Sequence, residues 1–183
     1  MTHAGDASRA FADAPRQRLP FRSINRRDRP GYEPGVQRHH ILPRQLLSRA
    51  CFAPMLAQLG TERLGFDDFR LNGLLLPAND RTALAVGLPL HRGPHRSYNE
   101  MVFERVGGIE AGWAALRPRA PELALRRALH DLEQLQHQLR RELLDQRNRL
   151  RLNRRDPLGT GVDFTHLDAM ADLLWPATAP LEG

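Results

Sequence analysis

The spacing of apolar positions along this chain changes repeatedly, and each change predicts an element. Residues 1–30 show no period: Ala, Asp and Pro mix with seven arginines, a texture that predicts a disordered basic arm. From Gly31 the pattern tightens, and GYEPGVQRHHILP places a turn before a β-compatible stretch over Val36 to Leu42, which Pro43 ends. Residues 44–59 carry Leu46, Leu47, Met55, Leu56 and Leu59 at mostly helical spacing, and Pro54 divides them into one or two short helices. LNGLLLPAND is brief, apolar and bounded by Asn-Gly and Pro, so a second strand is predicted at Leu74 to Leu76. In the following GLPLHRGPHRSYNEMVFERV, Pro94 suits a first helical turn and a helix is predicted from Gly93 to Val106.

The longest periodic segment spans residues 121–152. Leu125, Leu129, Leu132, Leu139, Leu143 and Leu150 recur at three- and four-residue steps, with Gln136 and Gln146 filling two places in that register. This predicts a long amphipathic helix. Packing on its own domain is favoured over a dimerising coiled coil, because the register is short and interrupted by glutamines. A last short helix is predicted around His166 to Trp175, after the DPLGTG break. Trp113, Trp175, Phe66 and Phe69 are expected in the core. The fold class is therefore α+β and mainly helical. Its expected parts are an arm over 1–30, a core over 31–112, and a helical C-terminal extension over 113–183 that packs on the core.

Composition narrows the function. A chain of 183 residues with 41% hydrophobic and 26% charged residues supports one modest domain, and its net charge of +6 leans towards a polyanionic partner. All 27 basic residues are arginine, whose planar fork matches phosphate oxygens, although GC-rich coding is the favoured cause of the bias and the two readings are compatible. The one cysteine, Cys51, excludes an internal disulfide and a multi-cysteine zinc site, and is expected to be a small buried hydrophobe. The first residues lack the apolar stretch of a signal peptide, and no run approaches the roughly 18 to 20 apolar residues of a membrane span. A cytoplasmic location with no membrane partner is expected, though signal-independent export would leave no trace. An aromatic content of 6% argues against a surface for stacking single strands.

The chemistry concentrates in four of the eight histidines. Adjacent His39 and His40 would face opposite sides of a strand, while His91 and His95 would lie one helical turn apart on one face. Three imidazoles with an open coordination position activate rather than merely hold a structure. Four histidines thus give three metal ligands, His39, His91 and His95, and one base, His40, with a pKa near neutrality. His130 and His137 share a helix face without further donors, and His3 and His166 have no partner at useful spacing. Two plainer readings compete: ordinary polar turn residues, and a structural zinc site, which usually needs cysteine.

RHHILP, LNGLLLP and LHRGPHRSY, in this order, resemble the AHH family of the HNH/endonuclease VII superfamily, ββα-metal (His-Me finger) nucleases that often occur as toxin domains of bacterial secretion-delivered systems. The resemblance covers Val36 to Val106. It implies a hairpin and a helix pinched around one divalent ion (Mg, Zn, Ni or Mn), with His39, His91 and His95 as ligands, the last two helix-borne. It also implies His40 as general base, and Asn72 in the catalytic set, bracing the hairpin and orienting that base. Tyr98 would lie near the site, contacting a phosphate or a ligand's surroundings. Arg38 stands where the family has the alanine of its name, and with Arg44, Arg92 and Arg96 it flanks the motif as a phosphate contact. The expected function is a metal-dependent endonuclease acting on DNA and leaving a 5′-phosphate. A toxin role would call for an acidic immunity protein. The alternatives are a non-catalytic nucleic-acid-binding or regulatory protein that keeps the fold, and an RNase.

Overall fold

In the computed structural model of the chain, residues 17–93, 95–146, 150–152 and 156–158 are described. Strand β1 (Val36–His40) pairs antiparallel with β2 (Gly73–Pro77), setting Val36 against Pro77 and His40 against Gly73. Between the two strands lie α1 (Ala53–Leu59) and the single turn α2 (Phe69–Asn72). Helices α3 (Asp80–Val86), α4 (Arg96–Leu116) and α5 (Pro121–Leu144) follow. The result is the mixed architecture expected, a small two-stranded sheet within a mainly helical chain. No helix of the described residues is long and apolar enough to cross a membrane.

Local chemistry sets the boundaries. Asp68 caps α2 by accepting from the Arg70 amide at 3.0 Å, and Asn79 caps α3 by accepting from the Thr82 amide at 2.9 Å. Pro121 opens α5 at its first turn, where no amide donor is missed. Strand β1 stops two residues before the predicted end, because Ile41 and Leu42 turn inward and are wholly buried. Helix α4 begins later and runs ten residues past the predicted Val106. Gly107 and Gly108 each cost roughly 1 kcal/mol relative to alanine, but Val102, Val106 and Trp113 keep a buried stripe going across them.

Helix α5 stops at Leu144 rather than at 152, yet Leu150 and Leu152 still pack on the core. Its Leu132, Leu135, Leu139 and Leu143 are buried within the same chain, and Arg105 of α4 donates to both carboxylate oxygens of Glu142 at 3.0 and 3.2 Å. The apolar stripe is thereby used inside the molecule.

Two expectations fail. Residues 17–30 do not form a disordered arm: Phe21 is buried, the Phe69 amide donates to the Leu19 carbonyl at 2.7 Å, and the Leu19 amide donates to Asp68 at 3.3 Å. Phe21, an apolar residue within a basic stretch, supplies the burial that composition averaged away. Cys51 is exposed, because the neighbouring Phe52 takes the buried position at the start of α1. The predicted helix around His166 and Trp175, and residues 1–16 of the arm, lie outside the described residues.

A buried amide joins the sheet to the helices. Asn72, fully buried, accepts from the Leu42 amide through Oδ1 at 2.7 Å and donates through Nδ2 to the Leu42 carbonyl at 3.1 Å. Its own carbonyl accepts from the Ile41 amide at 2.8 Å, and Gln136 of α5 donates to its Oδ1 at 3.3 Å and to the Leu64 carbonyl at 3.0 Å. Removing the Asn72 side chain would strand several buried partners, so Asn72→Ala is predicted to lose roughly 2–5 kcal/mol in denaturant unfolding. A variant as stable as wild type would refute this role.

Candidate metal and nucleic-acid site

Strand parity does what adjacency predicts. His39 points inward, only 3% exposed, while His40 is half-buried on the other side of β1. On the His39 side, the rings of His91 and His95 stand 5.0 and 5.5 Å from its centroid, and 4.3 Å from each other. One ring nitrogen from each of the three lies within 4.8 Å of the other two. His39 Nε2 and His95 Nδ1 are buried with no hydrogen-bond partner among the described residues. Buried polar atoms normally find partners, so nitrogens left bare and converging fit a shared cation.

The sources of the second and third imidazoles differ from expectation. Neither histidine sits inside the helix: His91 is in the loop after α3, and His95 occupies the N-cap position of α4 without a side-chain cap bond. Gly93, with φ of 78°, turns the chain between them in a conformation that side chains resist. The two are one loop's width apart, not one helical turn. His91 is oriented by a residue outside the predicted set: its Nδ1 lies 3.2 Å from Gln37 Oε1, which leaves Nε2 as the free nitrogen when Nδ1 carries the proton. Gln37 shares the His39 face of β1 by strand parity, the one sequence signal that could have found it.

Tyr98, 2% exposed, packs edge-on against His39 at 5.1 Å and donates its hydroxyl to the Ile41 carbonyl at 2.6 Å. It is a strut behind His39, its hydroxyl engaged by the backbone. Burial raises its pKa, with the nearby Glu142 adding to the shift. Asn72 is likewise bonded to backbone and to Gln136, which suits bracing rather than contact with reacting atoms.

His40 has a different neighbourhood. The Phe21 ring stacks on it with centroids 3.7 Å apart and planes 3° from parallel, and Phe69 meets Phe21 edge-on at 5.2 Å. Gly73, opposite His40, has no room for a Cβ, which would fall 2.2 Å from the Phe69 ring. Sequence reasoning missed Phe21, since nothing local distinguishes it within the basic stretch. Arg38 donates to the Phe21 carbonyl at 2.7 Å and so fastens that segment to β1.

Clefts open on both sides of β1. One of about 790 Å³ is lined by Arg38, His39, His40, Arg44, His91, His95 and Arg96 among others. Another of about 670 Å³ is lined by Phe21, Arg22, Arg38, His40, Arg44 and Asp67. His40, Arg38 and Arg44 border both. Arg44 also pairs with Asp67 at 3.1 Å, both largely exposed, a contact readily exchanged for a phosphate. Arg92 is exposed beside His91.

Burial disfavours protonation throughout the cluster. His40 is pushed down to about 4 by burial and then by the Arg44 cation, and His91 to about 4 by burial and then by His95. His39 falls well below its usual value by burial and its histidine neighbours, and His95 is lowered by burial against an opposing hydrogen bond from the Leu152 backbone. All four rings are thus neutral at pH 7, as ligands and a base must be. His40 is a weaker base than the near-neutral value expected.

A family model described as a nuclease family of the HNH/ENDO VII superfamily with conserved AHH matches residues 21–139. That span begins at Phe21 and ends within α5, reaching past the Val36 to Val106 resemblance on both sides. Nothing matches among curated proteins or among solved structures.

Because the unfolded chain takes up these protons near pH 6.5 and the fold holds them off until about pH 4, the stability contributed by neutral rings is complete above 6.5. It is lost as pH falls through that window. The melting temperature of metal-free protein is predicted to drop between pH 6.5 and 4, with a shallower drop in His91→Gln; identical slopes would contradict it.

Proposed function

Since the chain belongs to the AHH family, a nuclease family of the HNH/ENDO VII superfamily, we propose that it is a metal-dependent endonuclease that hydrolyses phosphodiester bonds in DNA, with His40 as general base. The observation that carries this reading is the convergence of three imidazoles, one buried and two half-buried, on one side of β1 while a fourth lies on the other, between two arginine-lined clefts.

The chemistry divides between the two faces of one strand. His39, His91 and His95 would hold one divalent ion. Such an ion neutralises charge on a phosphate and its leaving oxygen. His40, neutral at pH 7, accepts the proton of an attacking water, and Phe21 keeps its ring from turning. Arg38, Arg44 and Arg96 line the cleft and offer guanidinium groups to the phosphates on either side of the scissile bond, with Arg92 exposed beside His91. Asn72 and Tyr98 fix the end of β1, and with it the spacing of base and ligands. A donor set of imidazoles without a carboxylate favours zinc, nickel or cobalt over magnesium. The same basic clefts are what an acidic immunity protein would cover if the enzyme serves as a toxin.

The test is a cleavage assay on supercoiled plasmid, linear duplex and RNA, each with EDTA or with Mg²⁺, Mn²⁺, Co²⁺, Ni²⁺ or Zn²⁺. Cutting of DNA is expected with the softer ions and not with EDTA. His40→Ala is expected to lose roughly 100- to 10,000-fold in rate while still binding Co²⁺. Full cleavage by that variant would remove His40 from its role. Cutting confined to RNA would replace the substrate, and binding without cutting under every ion would favour a non-catalytic nucleic-acid-binding protein.

A further inference from the structure

The loop that carries two of the three imidazoles is fastened from behind by a residue that lies beyond the family match. Asp156 follows α5 in sequence and is 3% exposed. Asp156 Oδ2 accepts from the Leu90 amide at 3.0 Å, and its Oδ1 accepts from the Leu158 amide at 3.1 Å. Leu90 is itself buried and immediately precedes His91, whose amide donates to the Pro77 carbonyl at 2.7 Å. Consecutive residues are thus tied to different anchors, Leu90 to Asp156 and His91 to the end of β2.

The other end of the loop is the start of α4, where the His95 carbonyl accepts from the Asn99 amide at 2.9 Å. Between the two ends sits Gly93, whose positive φ makes the loop a tight reversal. Both oxygens of Asp156 are engaged by backbone amides, so it braces the loop and is not itself a fourth ligand.

We infer that Asp156, outside the span that defines the family, is a positioning residue of the metal centre: through the Leu90 amide it sets the His91 end of the loop. This rests on the reading of His39, His91 and His95 as ligands. Supporting partners of this kind typically change metal affinity by about 10- to 100-fold.

The test is Co²⁺ binding to the full chain, followed by calorimetry and by the visible ligand-field spectrum, with the melting temperature of each metal-free variant measured alongside. Asp156→Ala is expected to weaken Co²⁺ binding by about 10- to 100-fold and to alter the band pattern. Asp156→Asn retains an oxygen for the Leu90 amide and is expected to recover most of the affinity. An alanine variant that folds and binds Co²⁺ with wild-type affinity and spectrum overturns the inference. If that variant does not fold, Asp156→Ser takes its place: shifted bands support the inference and unchanged bands overturn it. His39→Ala separates the two levels. Wild-type protein that binds Co²⁺ no better than His39→Ala refutes the centre itself, whereas a working centre indifferent to residue 156 refutes only this role.

Discussion

The geometry of this site depends on how one turn of backbone, Ile41–Leu42, is satisfied. Strand β1 ends at His40, and the next two residues are completely buried with polar groups that no strand partner reaches. The Asn72 side chain answers both polar groups of Leu42, while the Asn72 carbonyl and the Tyr98 hydroxyl answer those of Ile41. A buried amide or carbonyl left unpaired costs about 1–3 kcal/mol, so this arrangement strongly resists alternatives. Since Tyr98 belongs to α4 and Asn72 ends α2, the same bonds fix His39 and His40 relative to His95.

From that turn outward, three of the histidines receive their own support. His39 has the Tyr98 ring against it, His91 has Gln37, and His40 has Phe21. The supports come from three separate stretches of chain. Together they keep imidazoles buried and uncharged at close range, an arrangement that is unfavourable unless the fold enforces it. The functional reading gains from this, because packing alone gives no reason to gather bare nitrogens in one place.

Much of this was legible in the sequence, and the boundary has a physical explanation. Strand parity separated His39 from His40, and the apolar run Leu74 to Leu76 located β2, because both are local consequences of a period-two backbone. The stripe of α5 was legible for the same reason at helical period. Local periodicity failed where long-range packing decides. Helix α4 runs through three glycines because its buried face continues, and the chain at His91, which reads as one helical turn from His95, is a loop pinned at Leu90 and His91. Phe21 and Asp156 were invisible because each acts on a residue far along the chain. The expected arm failed through averaging: one buried phenylalanine among arginines, with backbone bonds at Leu19 and Phe21, docks this segment.

The face-to-face stack of Phe21 on His40 gives the proposed base a property that no other histidine in the described residues shares. With parallel rings 3.7 Å apart, the His40 ring protons lie in the shielding cone of a neighbouring aromatic current. They should resonate upfield of the remaining imidazole signals. The proposed base therefore carries its own magnetic label, and the label reports whether the segment around Phe21 is seated.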